Sequence, residues 1–404
     1  MSISTEIKNA IPAADRPAQL KQAFRVNNFD FIRLFAALQV AILHSISYLD
    51  LSEVMSGVIL FLELFPGVPI FFFVSGFLIS KSYESNPKLS EYAQNRVLRI
   101  YPALFLCTIL SMLSVYITGY FTDKGISFAQ ALPWIVSQFS VAQFYTPSFM
   151  RDYGVGTLNG SLWTISVELQ FYLVVPVVYY FLKKSAPKNN NFNIISLIVF
   201  FVIAHSLVVN LGESNPDNML LKLTGVSFLP WVYMFLVGML FQKNFEKLHS
   251  LFADKAIVIL PTYIALAYAL THYGNFQLGN TITPELYPLL AITVFSVAYS
   301  TPSLSKRLFK GNDYSYGIYI YHIPVINLMV TYGLTDHVAY LYLTLIASCT
   351  LAAASWWLLE KPCLSLKRQS LKVSTSPDTK PGPSTYTVVR SRNTTQEHSV
   401  EHAK

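Results

Sequence analysis

The sequence predicts an all-α, polytopic membrane protein of about ten transmembrane helices with both termini in the cytoplasm. Three observations carry that prediction. Only 13% of the 404 residues are charged while 53% are hydrophobic, whereas a soluble domain carries about a quarter charged residues. Apolar runs long enough to cross a bilayer, about 20 residues each, begin near Phe29, Ser56, Leu98, Ser161, Phe192, Gly225, Ala256, Pro284, Tyr314 and Val338. The cations between those runs fall on alternate connections, as the positive-inside rule demands.

Residues 1–28 are polar and read as a cytoplasmic segment. The first apolar run is too long for a signal-peptide core and lacks a small-residue cleavage site, so it is expected to be a retained span. With that terminus inside, the inner connections hold Lys81, Lys88, Arg96 and Arg99, then Lys183, Lys184 and Lys188, then Lys243, Lys247 and Lys255, then Lys306, Arg307 and Lys310. The outer ones hold Lys124, Arg151 and Lys222. Topology therefore accounts for the net charge of +7, and no nucleic-acid partner is expected.

Residues 29–360 form the membrane domain. Prolines at 66, 69, 176, 230 and 288 predict kinks or re-entrant turns where neighbours re-satisfy the freed carbonyls. The aromatic stretch Ala129–Tyr145, interrupted by Pro133, Gln138 and Gln143, reads as interfacial, not spanning. From 361 to 404 the chain turns rich in Ser, Thr, Pro and charge, a composition expected to form a mostly disordered cytoplasmic tail. No repeat resembles the inverted halves of a transporter. Cys107, Cys349 and Cys363 share no metal-ligand spacing, so neither a metal nor a disulfide framework is expected.

An ionisable group inside a bilayer is costly and so a functional candidate. The first run carries Asp30, Arg33 and His44. Eleven residues return to nearly the same helix face about 16 Å further on, so Arg33 and His44 share one stripe. Asp30, three residues before Arg33, can neutralise it. Arg33 serves equally as an interfacial anchor, and His44 could instead bond a neighbouring carbonyl.

Ser75-Gly76 in the second run permits close helix approach. Arg96 and Arg99 share a face; they are snorkelling anchors or a guanidinium fork for the phosphates of a nucleotide-linked donor. The fourth run opens with Ser161-Leu-Trp163 and continues to Glu168-Leu-Gln-Phe-Tyr172, which buries one acid. Glu168 could orient an imidazole or a substrate hydroxyl, or satisfy a structural donor. The ninth run supplies Tyr321 and a second intramembrane histidine, His322, within Ser315-Tyr316-Gly317 through His322-Ile-Pro324. His205 and His272 are lone and read as structural.

In this order, the Asp30–Arg33–His44 stripe, Phe73-Val-Ser75-Gly76-Phe77, Arg96-Val-Leu-Arg99-Ile-Tyr-Pro102, Trp163 to Tyr172, and the Ser315 to Pro324 stretch resemble the integral-membrane acyltransferase family 3, which includes O-antigen, exopolysaccharide and Nod-factor acetylases of bacteria. The likeness runs over most of residues 27–365. It implies an acyl-CoA donor, acetyl-CoA above all, on the cytoplasmic side of a bacterial inner membrane, and a glycan or glycolipid acceptor. It also implies His44 as the catalytic histidine and Arg33, Arg96 and Arg99 as donor-handling or structural cations; Glu168, from the cost of burying an acid in an apolar helix, is the second catalytic candidate. Asp30, Ser75, Trp163, Tyr172, Tyr321 and His322 are then substrate-binding or structural. Family members often read Leu-Asp-Gly-Leu-Arg-Gly-Leu where this chain reads Phe29-Asp-Phe-Ile-Arg-Leu-Phe35, a difference that bears on helix packing. No soluble esterase-like domain follows the membrane region, so transfer is expected to be completed by the membrane unit or a separate partner.

A histidine near neutral pKa can act on a thioester as general base or carry the acyl group itself, and the sequence leaves both open. A transporter or flippase of a lipid-linked glycan is the competing class, with too few buried acids for ion coupling and no repeat symmetry against it. A purely structural membrane subunit is the third reading.

Overall fold

The structure is a computed structural model that describes residues 22–184, 186 and 189–366. Among them every regular element is helical. The principal helices are α1 (Phe29–Tyr48), α2 (Ser56–Glu63), α3 (Gly67–Ser85), α4 (Leu89–Ile117), α5 (Phe128–Gln138), α6 (Trp163–Lys184), α7 (Asn190–Ser214), α8 (Val232–Lys243), α9 (Ala256–Tyr273), α10 (Tyr287–Tyr299), α11 (Ser315–Thr331) and α12 (Val338–Ser355).

Seven helices among the described residues are long and apolar enough to cross a membrane. The other three expected spans coincide with α8, α10 and α11, of 12, 13 and 17 residues. At 1.5 Å per residue, α8 rises about 18 Å, short of a hydrocarbon core of about 30 Å. Prolines explain part of the shortfall, since α8 starts just after Pro230 and α10 holds Pro288 in its first turn. These three are also the most thoroughly enclosed helices, with ten of the twelve α8 residues buried, so protein replaces lipid around them. In α7 the reverse holds: only Ile194 and His205 are buried, and Phe200, Ile203, Leu207 and Leu211 face outward. That surface suits lipid.

The proline expectation is met in the second run, which breaks between α2 and α3 at Leu64–Pro66. The freed polar groups find partners. Buried Gln39 on α1 donates to the Leu62 carbonyl at 3.0 Å and accepts from the Gly67 N–H at 3.0 Å, while the Tyr263 hydroxyl donates to the Leu64 carbonyl. Pro176, by contrast, lies inside an unbroken α6. The aromatic stretch after Ala129 contains α5, an 11-residue helix opened by a Ser127/Gln130 capping box, whose Trp134 packs on Val115, Met150, Tyr153 and Leu158. The last helical segment runs on to Leu366, past the boundary expected at 360; the remaining tail and residues 1–21 lie outside the described residues.

At the centre, α3 crosses α8 at close range. A Cβ on Gly76 would strike the Phe235 carbonyl, and one on Gly238 would strike the Phe73 carbonyl and the Phe77 nitrogen. The two glycines thus admit each other's backbones, as small residues do between membrane helices. Gly76→Ala should therefore destabilise by about 1–3 kcal/mol through overpacking, whereas Gly57→Ala, with nothing within 4 Å, should not. Thermal unfolding of both variants in detergent checks this, and equal melting temperatures would contradict it.

Candidate active site

Between α1, α3, α4, α6 and α11 lies a cavity of about 150 Å³ lined by Arg33, Ser75, Arg96, Arg99, Glu168, Tyr172 and Tyr319, with the hydroxyl residues Thr164, Ser315 and Tyr316 and apolar neighbours. Three arginines of the sequence reading, its intramembrane acid and two of its secondary candidates thus meet in one space. Glu168 is held, not free: its Oε1 accepts from Ser75 Oγ at 3.0 Å and from the Tyr172 hydroxyl at 2.6 Å. The Tyr172 ring in turn carries the Arg96 guanidinium 5.5 Å from its centroid, with Tyr92 at 5.6 Å, a cation–π arrangement. Arg96 donates to Ser82 Oγ at 3.2 Å, and its Nε is buried without a hydrogen-bond partner.

Arg33 and Arg99 are engaged differently. Both bond one carboxylate oxygen of Asp313, Arg33 at 3.3 Å and Arg99 more closely, and Arg33 also pairs with Asp30. The other Asp313 oxygen accepts the Ser315 N–H and hydroxyl, an Asx turn that opens α11. Burial works to raise the Asp313 pKa, but the Arg33 and Arg99 guanidiniums outweigh it and hold the carboxyl well below the usual range. Asp313 is therefore ionised.

Further along the same two elements, His44 Nδ1 lies 2.9 Å from His322 Nε2, and His322 Nδ1 lies 3.2 Å from the Ile318 carbonyl. His322 is fully buried, whereas His44 keeps partial exposure. The cavity stops short of the pair at Phe71 and Tyr319, whose rings meet at 5.4 Å; Tyr319 also packs on His322 at 5.9 Å. Pro324 cannot donate to the Ile320 carbonyl, four residues earlier. Asn159 Nδ2 does so at 2.7 Å, with the Cys107 thiol at 3.1 Å. The helix is thereby pinned where it carries His322.

Glu168 sits among the arginines and makes no hydrogen bond to His44. Trp163 faces Trp231, 5.2 Å between centroids, outside the cavity lining, and Tyr321 is buried outside it too. His205 bonds the Pro230 carbonyl at 2.8 Å, the structural role expected. Among the described residues no cluster of three His, Cys, Asp or Glu could hold a metal ion.

Residues 26–360 match the family described as an acyltransferase domain. The chain belongs to that acyltransferase family. It is 30% identical to "Nodulation protein 10" of Rhizobium leguminosarum bv. viciae over 353 residues, covering 84% of this chain and 94% of that protein. It is 31% identical to an "O-acetyl transferase" of Shigella phage Sf6 over 365 residues, 86% of this chain and 98% of the relative. With the "Putative peptidoglycan O-acetyltransferase YrhL" of Bacillus subtilis it shares 25% identity, covering 83% of this chain but 54% of that protein. No solved structure matches. Together with the seven long apolar helices, family membership makes the acyltransferase a multi-pass membrane protein.

Asp313 escaped the sequence reading because it lies between apolar runs, where an acid is unremarked. The available signal was an acid two residues before Ser315, the spacing of an Asx turn. Asp313→Asn would leave Arg99 without its carboxylate partner in a poorly solvated site, with Arg33 keeping Asp30 alone, and removing one partner of a buried pair costs on the order of 3–5 kcal/mol. Thermal unfolding of the acyltransferase in detergent should show that variant far less stable than Arg96→Gln, whose cation has no carboxylate partner among its described contacts. Equal stabilities would contradict the ranking.

Proposed function

We propose that this acyltransferase moves an acetyl group from cytoplasmic acetyl-CoA to a hydroxyl of a cell-surface glycan or glycolipid, in a bacterial inner membrane. The observation that carries the reading is the arginine-lined cavity ending at Tyr319, with the His44–His322 pair on the far side. A cationic mouth suits the phosphates of coenzyme A, and a histidine beyond it suits the thioester chemistry. The relatives' printed names, an O-acetyl transferase and a putative peptidoglycan O-acetyltransferase, favour acetyl as the group and a glycan hydroxyl as the acceptor.

In this reading Arg96 is the principal donor contact. Arg33 and Arg99 share Asp313, whereas Arg96 rests on aromatic faces and a serine hydroxyl with no carboxylate partner among its described contacts. Glu168 shapes that seat through Tyr172 and is not the partner of His44. The acyl arm passes Tyr319 to reach His44. As general base, His44 removes the acceptor hydroxyl proton; the oxygen attacks the thioester carbonyl, the C–S bond breaks, and the thiolate leaves with the proton. As nucleophile, His44 instead carries the acetyl group between thiolate departure and hydroxyl attack.

The reading places both termini inside and counts α8, α10 and α11 as crossings, ten in all. Cysteines introduced by Lys306→Cys and Asp217→Cys should then react with a membrane-impermeant thiol reagent from the inner and outer faces respectively, and the reverse pattern would overturn the topology.

Purified protein in nanodiscs should release coenzyme A thiol from acetyl-CoA in an acceptor-dependent manner, and His44→Ala should abolish release while leaving the folded fraction unchanged. Transfer retained by that variant would overturn the assignment. A charge-assisted bond to phosphate contributes about 1.5–3 kcal/mol, so Arg96→Gln should weaken acetyl-CoA binding roughly ten- to a hundredfold, and Arg96→Lys should recover part of it. Arg99→Gln should lower the yield of folded protein more than the affinity of what folds. Titrating acetyl-CoA against equal amounts of folded variants checks this, and wild-type affinity in Arg96→Gln would return Arg96 to a structural role.

A further inference from the structure

The histidine pair has a direction. Ile318 offers a carbonyl oxygen, which can only accept, so the His322 Nδ1 that lies 3.2 Å away carries the hydrogen. No carboxylate contacts either ring among the described hydrogen bonds and ion pairs, so a permanently charged ring here would be a buried unpaired charge. In the neutral pair the lone pair of His322 therefore lies on Nε2, and it must accept from His44 Nδ1–H at 2.9 Å. Among the described residues one nitrogen is left without a partner: His44 Nε2 holds its lone pair on the ring that keeps partial exposure.

Resting on the assignment of His44 as the reacting residue, we propose that His322 is a positioning residue that sets the tautomer of His44 and shares the charge His44 acquires. When Nε2 takes the acceptor hydroxyl proton, His44 becomes an imidazolium. Its Nδ1 proton can then pass to His322 Nε2, while His322 Nδ1–H stays on the Ile318 carbonyl. The positive charge is distributed over two rings, and it returns when the departing thiolate takes a proton from His44 Nε2. The same tautomer serves a nucleophilic His44, since Nε2 is again the free lone pair. The rings stack with centroids 5.1 Å apart and planes 25° from parallel. Asn159 and Cys107 on the Ile320 carbonyl hold the helix that presents His322. His322 needs no substrate contact to act, because Tyr319 stands between it and the cavity.

The test compares kcat and KM for acetyl transfer in nanodiscs across wild type, His44→Ala, His322→Ala, His322→Phe and His322→Gln. Phenylalanine fills the space without accepting a hydrogen bond; the glutamine amide oxygen can accept from His44 Nδ1–H, although it is a poor base. Loss of general acid–base support costs roughly 10²–10⁴ in rate. The Ala and Phe variants should lose kcat on that scale with KM for acetyl-CoA within about twofold of wild type, and Gln should recover at least about tenfold of the loss by restoring the tautomer alone. Wild-type kcat in folded Phe or Ala variants, a change confined to KM, or a Gln variant no faster than Phe would each overturn the proposal. Where Ala fails to fold, the Phe and Gln pair decides. The two assignments fail separately. An active His44→Ala removes the reading on which this rests, whereas an inactive His44→Ala beside fully active His322 variants removes only the role of His322.

Discussion

The carboxylate of Asp313 is the interaction on which the arrangement depends. It bonds Arg33 of α1 and Arg99 of α4 while its second oxygen opens α11, so one acid joins three elements at the basic end of the bundle. The same two elements, α1 and the α11 segment, meet again through His44 and His322. Arg33 and His44 are about 16 Å apart along α1, and Asp313 and His322 about 13 Å apart along their segment. Two polar contacts at two heights fix both register and rotation of one element against the other. A slip of one residue would break both. The ion cluster and the histidine pair thus align the same two elements without touching each other.

A second constraint is that backbone groups inside an apolar bundle must find partners within the protein. The helix break before Pro66 is closed by Gln39 and Tyr263, and the carbonyl freed by Pro324 by Asn159 and Cys107. Asn327 performs a related task further along α11, accepting from the Val155 N–H and donating to the Thr157 and Leu158 carbonyls at 2.9 Å. These side chains tie the irregular connection before α6 to the helix that carries His322. The glycine contact between α3 and α8 supplies the close packing on the other side, against which Ser75 is presented to Glu168.

What the sequence made legible follows from cost. Arg33, His44, Arg96, Arg99, Glu168 and His322 stood out because a charged or titratable side chain in an apolar run demands a partner, and the structure gathers them into one cavity and one adjoining pair. The all-helical fold and the position of each apolar segment were legible for the same local reason. Three things were not. Asp313 lies where acids are ordinary. Gln39, Asn159 and Asn327 are uncharged, and their roles exist only through partners distant in the chain. The lengths of α8, α10 and α11 depend on whether protein or lipid surrounds them, which an apolar run does not encode. Trp163, legible only as substrate-binding or structural, faces Trp231 outside the cavity lining.

The central claim is that the donor enters at the arginines and delivers its thioester to the free nitrogen of His44. An experimental structure of the protein in nanodiscs with a non-hydrolysable acetyl-CoA analogue tests it most directly. The account predicts the phosphates against Arg96, Tyr319 displaced from between the cavity and the histidines, and the thioester carbonyl carbon beside His44 Nε2, within about 3.5 Å. Phosphates seated away from Arg96, or a thioester that ends at Glu168 with Tyr319 still closed over the pair, would contradict it.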